Sequence, residues 1–537
     1  MKNITKNKWL LLLATTTPIL SMSSMFSLSC TNTENPQVSL MIPFVEQGEK
    51  KSYDAIVKIV NRFNKTLPEK YASNQIILRN DFNKRGVNHK VNLEMNIKDY
   101  RTPSLVLSYP SIIPSIKRNN RLVNLSEIAK KSSIENKVLD YNNRLGFNNQ
   151  NEIFSLPIGL ASEILIINKK LLCFFLKSLY DFNKNKNINN KNILNIEKSS
   201  EWFPLIKKEN HSNFKKPSIE FNENAVKNWD LDLGNDIFAI DDNFKQFCHL
   251  IKKSLNKKTF EILYVRHLEN YIYEQLFKKA DSDYAKFAIN YDENYNFDFN
   301  RLFGSNPNKE NQFKEVIKEF YQDLKNQVIQ IEATKRFQRE TFLEHLFVIV
   351  TTRIYSAKEA LDFFKKHQHE FIIKTPPTKK HTQQKNGSYF MQGLFLAGIR
   401  SDIVEKNEVV NEFLKWFYDK DNLLEWQYGD KKVKLSPVEY LALNLNYVFP
   451  SQNFEEVYKT LINYEEEKKV NLLLLDNLKQ TNLIPLTDLV DSENINEELR
   501  RAIKTYINSN LYYSARDKID DEKAVNDFIN KLEIAIK

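Results

Sequence analysis

Glycine is scarce: only 10 occur in 537 residues. Gly-rich phosphate loops therefore have little raw material, and neither G-x-G-x-x-G nor G-x-x-x-x-G-K-[ST] is found. Cysteine is scarcer, with only Cys30, Cys173 and Cys248 and no C-x-x-C pair, which argues against a thiolate zinc site. G-x-S-x-G and H-E-x-x-H are also missing, so the sequence offers no nucleophile elbow and no zincin helix. Repeats and a long polar stalk are absent too. No apolar run is long enough to span a bilayer.

What is present is a large core-forming inventory. The composition is 42% hydrophobic and 12% aromatic, which excludes global disorder. The chain is too long for one ordinary core, so two or more domains are expected. Lys and Arg number 78 against 68 Asp and Glu, a formal net charge of +10. Lys and Asn are scattered along the whole chain, so this charge reads as coding bias on a solvated surface rather than a nucleic-acid footprint.

The N-terminus reads as an address. Lys2, Lys6 and Lys8 precede the apolar Trp9–Ala14 run, and the segment closes on Ser29-Cys30 before the polar Thr31-Asn32-Thr33-Glu34. That pattern is a secretory signal over residues 1–29. Its ending marks Cys30 as a lipidation site, with a short tether over 30–37. Diacylation, with a palmitate-type chain, gives stable membrane anchoring. If lipid consumes Cys30, Cys173 and Cys248 remain. They could pair, but their apolar settings favour two buried thiols.

Periodicity supplies the rest of the frame. Val38–Val45 and Ser104–Tyr109 read as short strands around a helix over Gly48–Leu67, the opening of a βαβ unit. Glu152–Leu172 reads as strand, Pro157-Ile158-Gly159, strand, then a helix opening at Asn168-Lys169. Residues 181–200 are Asn/Lys-rich and read as a surface insertion. Residues 256–300 read as helical. Phe313, Val316, Ile317, Phe320, Leu324 and Val328 mark an amphipathic helix. His345–Thr352, Phe371–Ile373 and Tyr389–Ile399 read as strands. A helix is expected over Ala357–Phe364 and a basic flexible loop over Pro376–Ser388. The chain ends in helices.

Four segments carry a resemblance in order. They are PSLVLSYPSIIPSIKRNNRLVNLSEI, EIFSLPIGLASEILIINKKLL, FIIKTPPTKK followed by FMQGLFLAGIRSDIVEKNEVVNEFLKWFYD, and the tail EELRRAIKTYINSN with DDEKAVNDFINKLEIAI. This series resembles the type 1 extracellular solute-binding proteins of ABC importers, the group that includes maltose-binding protein. Ser27 and Leu28 before Ser29-Cys30 make a loose lipobox; with it and the Asn/Lys bias, the chain looks like a mollicute surface lipoprotein of that type.

The resemblance implies an α/β, two-lobed, periplasmic-binding-protein-like fold (type II), helix-rich, with lobes joined by crossover strands. It places residues 38–160 with 341–397 in lobe 1 and 161–340 with 398–537 in lobe 2, with an insertion at 181–228. It implies a monomeric, non-enzymatic binder without cofactor or metal, at the extracellular face of the cell membrane. That binder would pass a small carbohydrate-like solute to an ABC permease. Candidate ligand contacts are Ser108, Tyr109, Glu163, Trp229, Tyr355 and Tyr389, and candidate hinges are Gly159–Ser162 and Leu396–Gly398. One departure bears on the ligand: Pro110-Ser111 stand where sugar-binding members often carry an acid.

Other chemistry is thin. His367-Gln368-His369-Glu370 could supply metal ligands but lies in a polar Lys-rich stretch, and Glu344-His345 opens an apolar strand. A nucleic-acid or nucleotide capture protein is the alternative reading, resting on the net charge and on Lys379, Lys380, His381 and Lys385. A host-facing adhesin or antigen on the same scaffold is another.

Overall fold

The computed structural model describes residues 37–537, except 46–48, 82–85, 98–100, 141–151, 209–216, 258–259, 291–295, 305–310, 335, 353–362, 364–365, 368–370, 462–464 and 488–494. The signal segment, Cys30, Tyr355, residues 357–362 and 364 of the helix expected over Ala357–Phe364, Gln368, His369 and Glu370 lie outside the described residues.

Twelve described strands run in chain order. They are β1 (Val38–Met41), β2 (Ile76–Arg79), β3 (Leu105–Ser108), β4 (Leu156–Asn168), β5 (Glu261–Val265), β6 (Ile329–Gln330), β7 (His345–Thr351), β8 (Phe371–Lys374), β9 (Gly387–Gly398), β10 (Leu424–Tyr428), β11 (Lys431–Leu435) and β12 (Leu483–Thr487). The main sheet has the order β2-β1-β3-β9-β4-β7-β5-β6, with β8 beside β4 and β12 beside β9. A separate hairpin pairs β10 with β11.

Strand β4 is the spine of the sheet. All 13 of its residues are buried, as a run covered on both faces requires. Its first half, Leu156–Ser162, pairs antiparallel with β9. Its second half, Glu163–Ile167, pairs antiparallel with β7. The two halves belong to different cores. Leu156–Ala161 pack with the residues of β1–β3, whereas Leu165 and Ile167 pack with those of β5 and the helices around it. Asn168 then caps the Lys169–Asn185 helix by accepting from the Leu171 amide.

The register fixes direction. Strands β1, β2 and β3 are mutually parallel and β3 is antiparallel to β9. Since β9 opposes β4, strands β1–β3 run with β4, toward the second core. Strands β5 and β6 are parallel to β7, which opposes β4. They run toward the first core. The carboxyl ends of both parallel sets therefore meet at the level where β4 passes from one core to the other.

The division of the chain differs from the sequence expectation. Val348 and Ile349 of β7 pack in clusters of the second lobe, not the first. The Val404–Tyr418 and Pro437–Asn444 helices, expected in the second lobe, bury Val409, Phe413, Phe417 and Leu441 in the first core. The chain returns to the second core only at β12, where Leu483 joins the first cluster and Leu486 the second. Amphipathic spacing marks which face of a helix is buried, but not against which sheet.

Three local expectations also change. The 181–200 stretch, expected as a surface insertion, also buries Asn183, Ile193 and Ile196, which close the second core. Residues 256–300 contain β5, whose four buried positions, Ile262–Val265, are too short a run to reveal their period. The Pro376–Ser388 loop is anchored, with Lys380 and Gln384 buried. Cys173 and Cys248 are both free and buried.

Candidate functional site

The lobe boundary is organised by close backbone approach. A Cβ on Gly393 would stand 2.4 Å from the Gly159 carbonyl oxygen, and one on Gly159 would stand 2.5 Å from Tyr447 Cβ. Only glycine lets β4 and β9 lie this close beside the Tyr447 turn. One step along, the Ser162 hydroxyl donates to the Phe390 carbonyl at 2.8 Å, and the Ser162 amide to Thr352 Oγ1 at 3.2 Å. Of the expected hinges, Gly159–Ser162 therefore sits at the crossing, whereas Leu396–Gly398 pairs with β3 inside the first lobe.

A buried polar cluster lies next to this crossing. Glu163 is 1% exposed, and its Oε1 accepts from Asn270 Nδ2 at 3.0 Å. Its Oε2 has no hydrogen-bond partner. Burial, then the Glu274 carboxylate, pushes Glu163 well above the usual carboxylate range, against the Asn270 bond. Asn270 in turn accepts from Arg500, whose guanidinium lies over the rings of Tyr273 at 5.4 Å and Phe390 at 5.6 Å. His267 Nδ1 stands 3.7 Å from Glu163 and makes no hydrogen bond. Burial, reinforced by Arg266, Lys504 and Arg500, holds the His267 imidazole down to about 3. At neutral pH this ring is neutral.

Arg266 follows the last residue of β5. Its guanidinium carbon lies 4.2 Å from the centre of the Phe337 ring. Beyond that ring it has no side-chain hydrogen bond or ion pair among the described residues. Burial lowers its basicity from the ordinary arginine value, and Glu332, just past β6, opposes that shift. Lys504 stands 3.7 Å from Glu332.

The candidate contacts do not converge on one point. Ser108 ends β3, buried and opposite Phe395 of β9. Tyr109 follows it, 39% exposed, at the entry to a short Pro110–Ile112 turn. Phe395 faces Pro157 of β4, so Glu163 lies about 20 Å farther along the strand direction at ~3.3 Å per residue. Tyr389 is buried on β9 opposite Pro485. Trp229 is deep in the second core, its indole N–H donating to the Leu231 carbonyl at 2.9 Å and its ring edge-on to Phe247. A side chain so placed packs the core of the second lobe. Arg266, Asn270 and Arg500 carry no signal of their own in the sequence, His267 reads there as a residue on a helical pattern with no role, and β5 lies inside the 256–300 stretch expected to be helical.

His345, His249 and Lys380 are each engaged within the protein. The His345 ring meets the Thr341 carbonyl at 2.9 Å and Gln330 at 3.0 Å, and it is fully buried. His249 pairs with Asp323 at 2.6 Å. No group of three His, Cys, Asp or Glu side chains suited to a metal occurs among the described residues. Lys380 Nζ lies 2.9 Å from Glu319, 3.0 Å from Asp242 and 3.4 Å from Asp241. Burial alone would raise Asp241; Lys245, Lys278 and Lys380 overcome it and hold the carboxyl low. A cavity of about 470 Å³ beside β8 and β12 is lined by Lys374, Lys379, Asn477 and Asn482.

No family model matches the chain. An uncharacterized lipoprotein of Mycoplasma pneumoniae is 23% identical over 172 residues, 32% of this chain and 21% of that protein. An uncharacterized lipoprotein of Mycoplasma genitalium is 26% identical over 132 residues, 24% of this chain and 17% of that protein. The match thus spans about a fifth of the length of these curated relatives. Among solved structures, the acarbose-binding GacH receptor of Streptomyces glaucescens covers 93% of this chain and 99% of its own, with a TM-score of 0.52 and 11% identity. The cyclic alpha-maltosyl-1,6-maltose binding protein of Arthrobacter globiformis gives the same figures. At that identity the likeness carries the fold: a mixed α/β, helix-rich, two-lobed architecture of the maltose-binding-protein kind.

Proposed function

On this two-lobed fold, we propose that the protein captures a small polar solute between its lobes and hands it to an ABC permease at the cell surface. The observation that carries the proposal is the convergence of strand ends. The carboxyl ends of β1–β3 and of β5–β7 face each other across the crossing strands. In open α/β sheets ligands bind outside the carboxyl ends of parallel strands, and pockets favour domain interfaces. Here two such sheet ends oppose one another across the crossing, so closure about it would bring both lobes onto one solute.

The mechanism follows from the crossing. A solute bound to both lobes stabilises the closed arrangement over the open one only by its differential affinity for the two. Closure requires a few residues to absorb the backbone rotation. Gly159 and Gly393, packed on each other, carry no side chain that would resist it. Ser162 holds β4 to β9 through its hydroxyl at that level. The permease reads the closed shape. Tyr109 and neighbouring residues of the first lobe, with Arg266 of the second, supply contacts.

The chain is held at the extracellular face by acylated Cys30, as the lipoprotein relatives support. No helix among the described residues is long and apolar enough to cross a membrane. Nucleic-acid capture is less well supported, because Lys380 is engaged by three carboxylates. A thermal-shift screen of sugars, polyols and nucleosides tests the proposal, since a ligand that binds only the folded state raises the unfolding midpoint by mass action. Small-angle scattering should show compaction with any hit. A hit that leaves the radius of gyration unchanged would remove the closure mechanism.

A further inference from the structure

We infer that the solute taken between the lobes carries a phosphate or carboxylate group, and that the Arg266 guanidinium is its receptor. This rests on the cleft-binding proposal and narrows it to a ligand class. Arg266 immediately follows β5, at one of the strand ends that face the other lobe. The Phe337 ring at 4.2 Å orients the guanidinium plane and covers one face.

The neighbouring cations have partners. Arg500 is bound to Asn270, and Lys504 is paired with Glu332 at 3.7 Å. Arg266 alone of the three has no hydrogen bond or ion pair for its side chain among the described residues. An arginine that is half-buried and keeps its fork of donors unused matches the two acceptor oxygens of a carboxylate or phosphate. The neutral His267 beside it offers a further polar atom, since its buried Nδ1 has no hydrogen-bond partner. No described carboxylate competes at hydrogen-bond range for Arg266, and Glu163, the carboxyl nearest His267, is pushed toward its neutral form. On the other lobe, Tyr109-Pro110-Ser111 brings no acid to the strand end. With Glu332 paired to Lys504, the open Arg266 fork is the group at the β5 wall that can take an anion, and the wall at β3, with Tyr109, is neutral and suited to a polyhydroxy body.

The experiment uses the full chain purified in detergent and pairs each anion with its neutral parent. Glycerol 3-phosphate is set against glycerol, and glucose 6-phosphate and glucuronate against glucose. At least one anion should raise the unfolding midpoint where its parent does not, and inorganic phosphate should displace it. Arg266→Gln should weaken binding about tenfold or more, as loss of a charge-assisted pair does. Arg266→Lys, which keeps the charge without the fork, should recover only part. If neutral parents bind as well as anions and Arg266→Gln leaves affinity unchanged, the anion inference fails while solute capture stands. If no member of the panel shifts the midpoint, both readings fail. Phosphate displacement on the unmutated chain keeps the test decisive even where Arg266→Gln does not fold.

Discussion

Glu163 and His267 should impose opposite pH slopes on stability, and removing one should unmask the other. Glu163 is buried with its pKa raised, so the folded chain holds its proton where the unfolded chain has lost it. Its contribution is fully present below the unfolded value of about 4.3 and is lost as pH rises from there, at about 1.4 kcal/mol per pH unit. His267 is held down to about 3, so the unfolded chain binds a proton that the folded chain refuses. Its contribution is fully present above the unfolded value of about 6.5 and is lost as pH falls below it, with the same slope of about 1.4 kcal/mol per unit. Between about 4.5 and 5.5 the two nearly cancel. Glu163→Gln should therefore gain stability relative to the parent by about 1.4 kcal/mol per unit as pH rises through that window. His267→Gln should gain relative to the parent as pH falls through it. The assay is urea unfolding of the full chain at several pH values, read by the buried Trp202 and Trp229 of the second lobe. Taking differences from the parent removes titrating groups that do not interact with Glu163; Glu274, whose carboxylate helps to raise Glu163, is kept out by making the comparison in a Glu274→Gln background. A Glu163→Gln curve parallel to the parent across the window would refute the reasoning.

Other outcomes follow from packing and charge. Gly393→Ala places a methyl 2.4 Å from the Gly159 carbonyl; overpacking of this kind costs about 1–3 kcal/mol, and ligand-driven compaction should weaken with it. Trp229→Ala should lower stability by about 3–5 kcal/mol without changing affinity for any solute, as calorimetry on the surviving folded fraction would check. Lys380→Gln removes one of three cations around buried Asp241; a loss of about 1–3 kcal/mol is expected, with no change in the salt dependence of any oligonucleotide binding. Cys30→Ser should move the protein from the detergent phase to the aqueous phase on phase partition, and unchanged partition would exclude acylation at that residue.

Much of the scaffold was legible because local rules sufficed. The apolar run at Leu156–Asn168 has to be a strand buried on both faces, and Asn168 before Lys169 has to cap a helix. The last helix buries Val525, Phe528, Leu532 and Ile536, as its spacing requires. Strand β12 went unrecognised because Leu483–Thr487 is five residues long and carries Pro485. Pro485 normally argues against a strand. Tyr284 offsets the disruption there, donating to the Pro485 carbonyl and accepting from the Thr487 amide. No local pattern could announce a partner 200 residues away.

The site divides in the same way. The class of fold was legible from the order and spacing of four segments, and the strand crossing near Gly159–Ser162 from residue type within one of them. Tertiary structure decided the rest. It showed that Trp229 is core, that Lys380 is engaged by Asp241, Asp242 and Glu319, and that Arg266, His267, Asn270 and Arg500 gather beside the crossing. The physical reason is range. Hydrophobic period and capping act within a few residues, whereas the charge environment of Arg266 or Glu163 is set by groups on helices and strands far away in the chain.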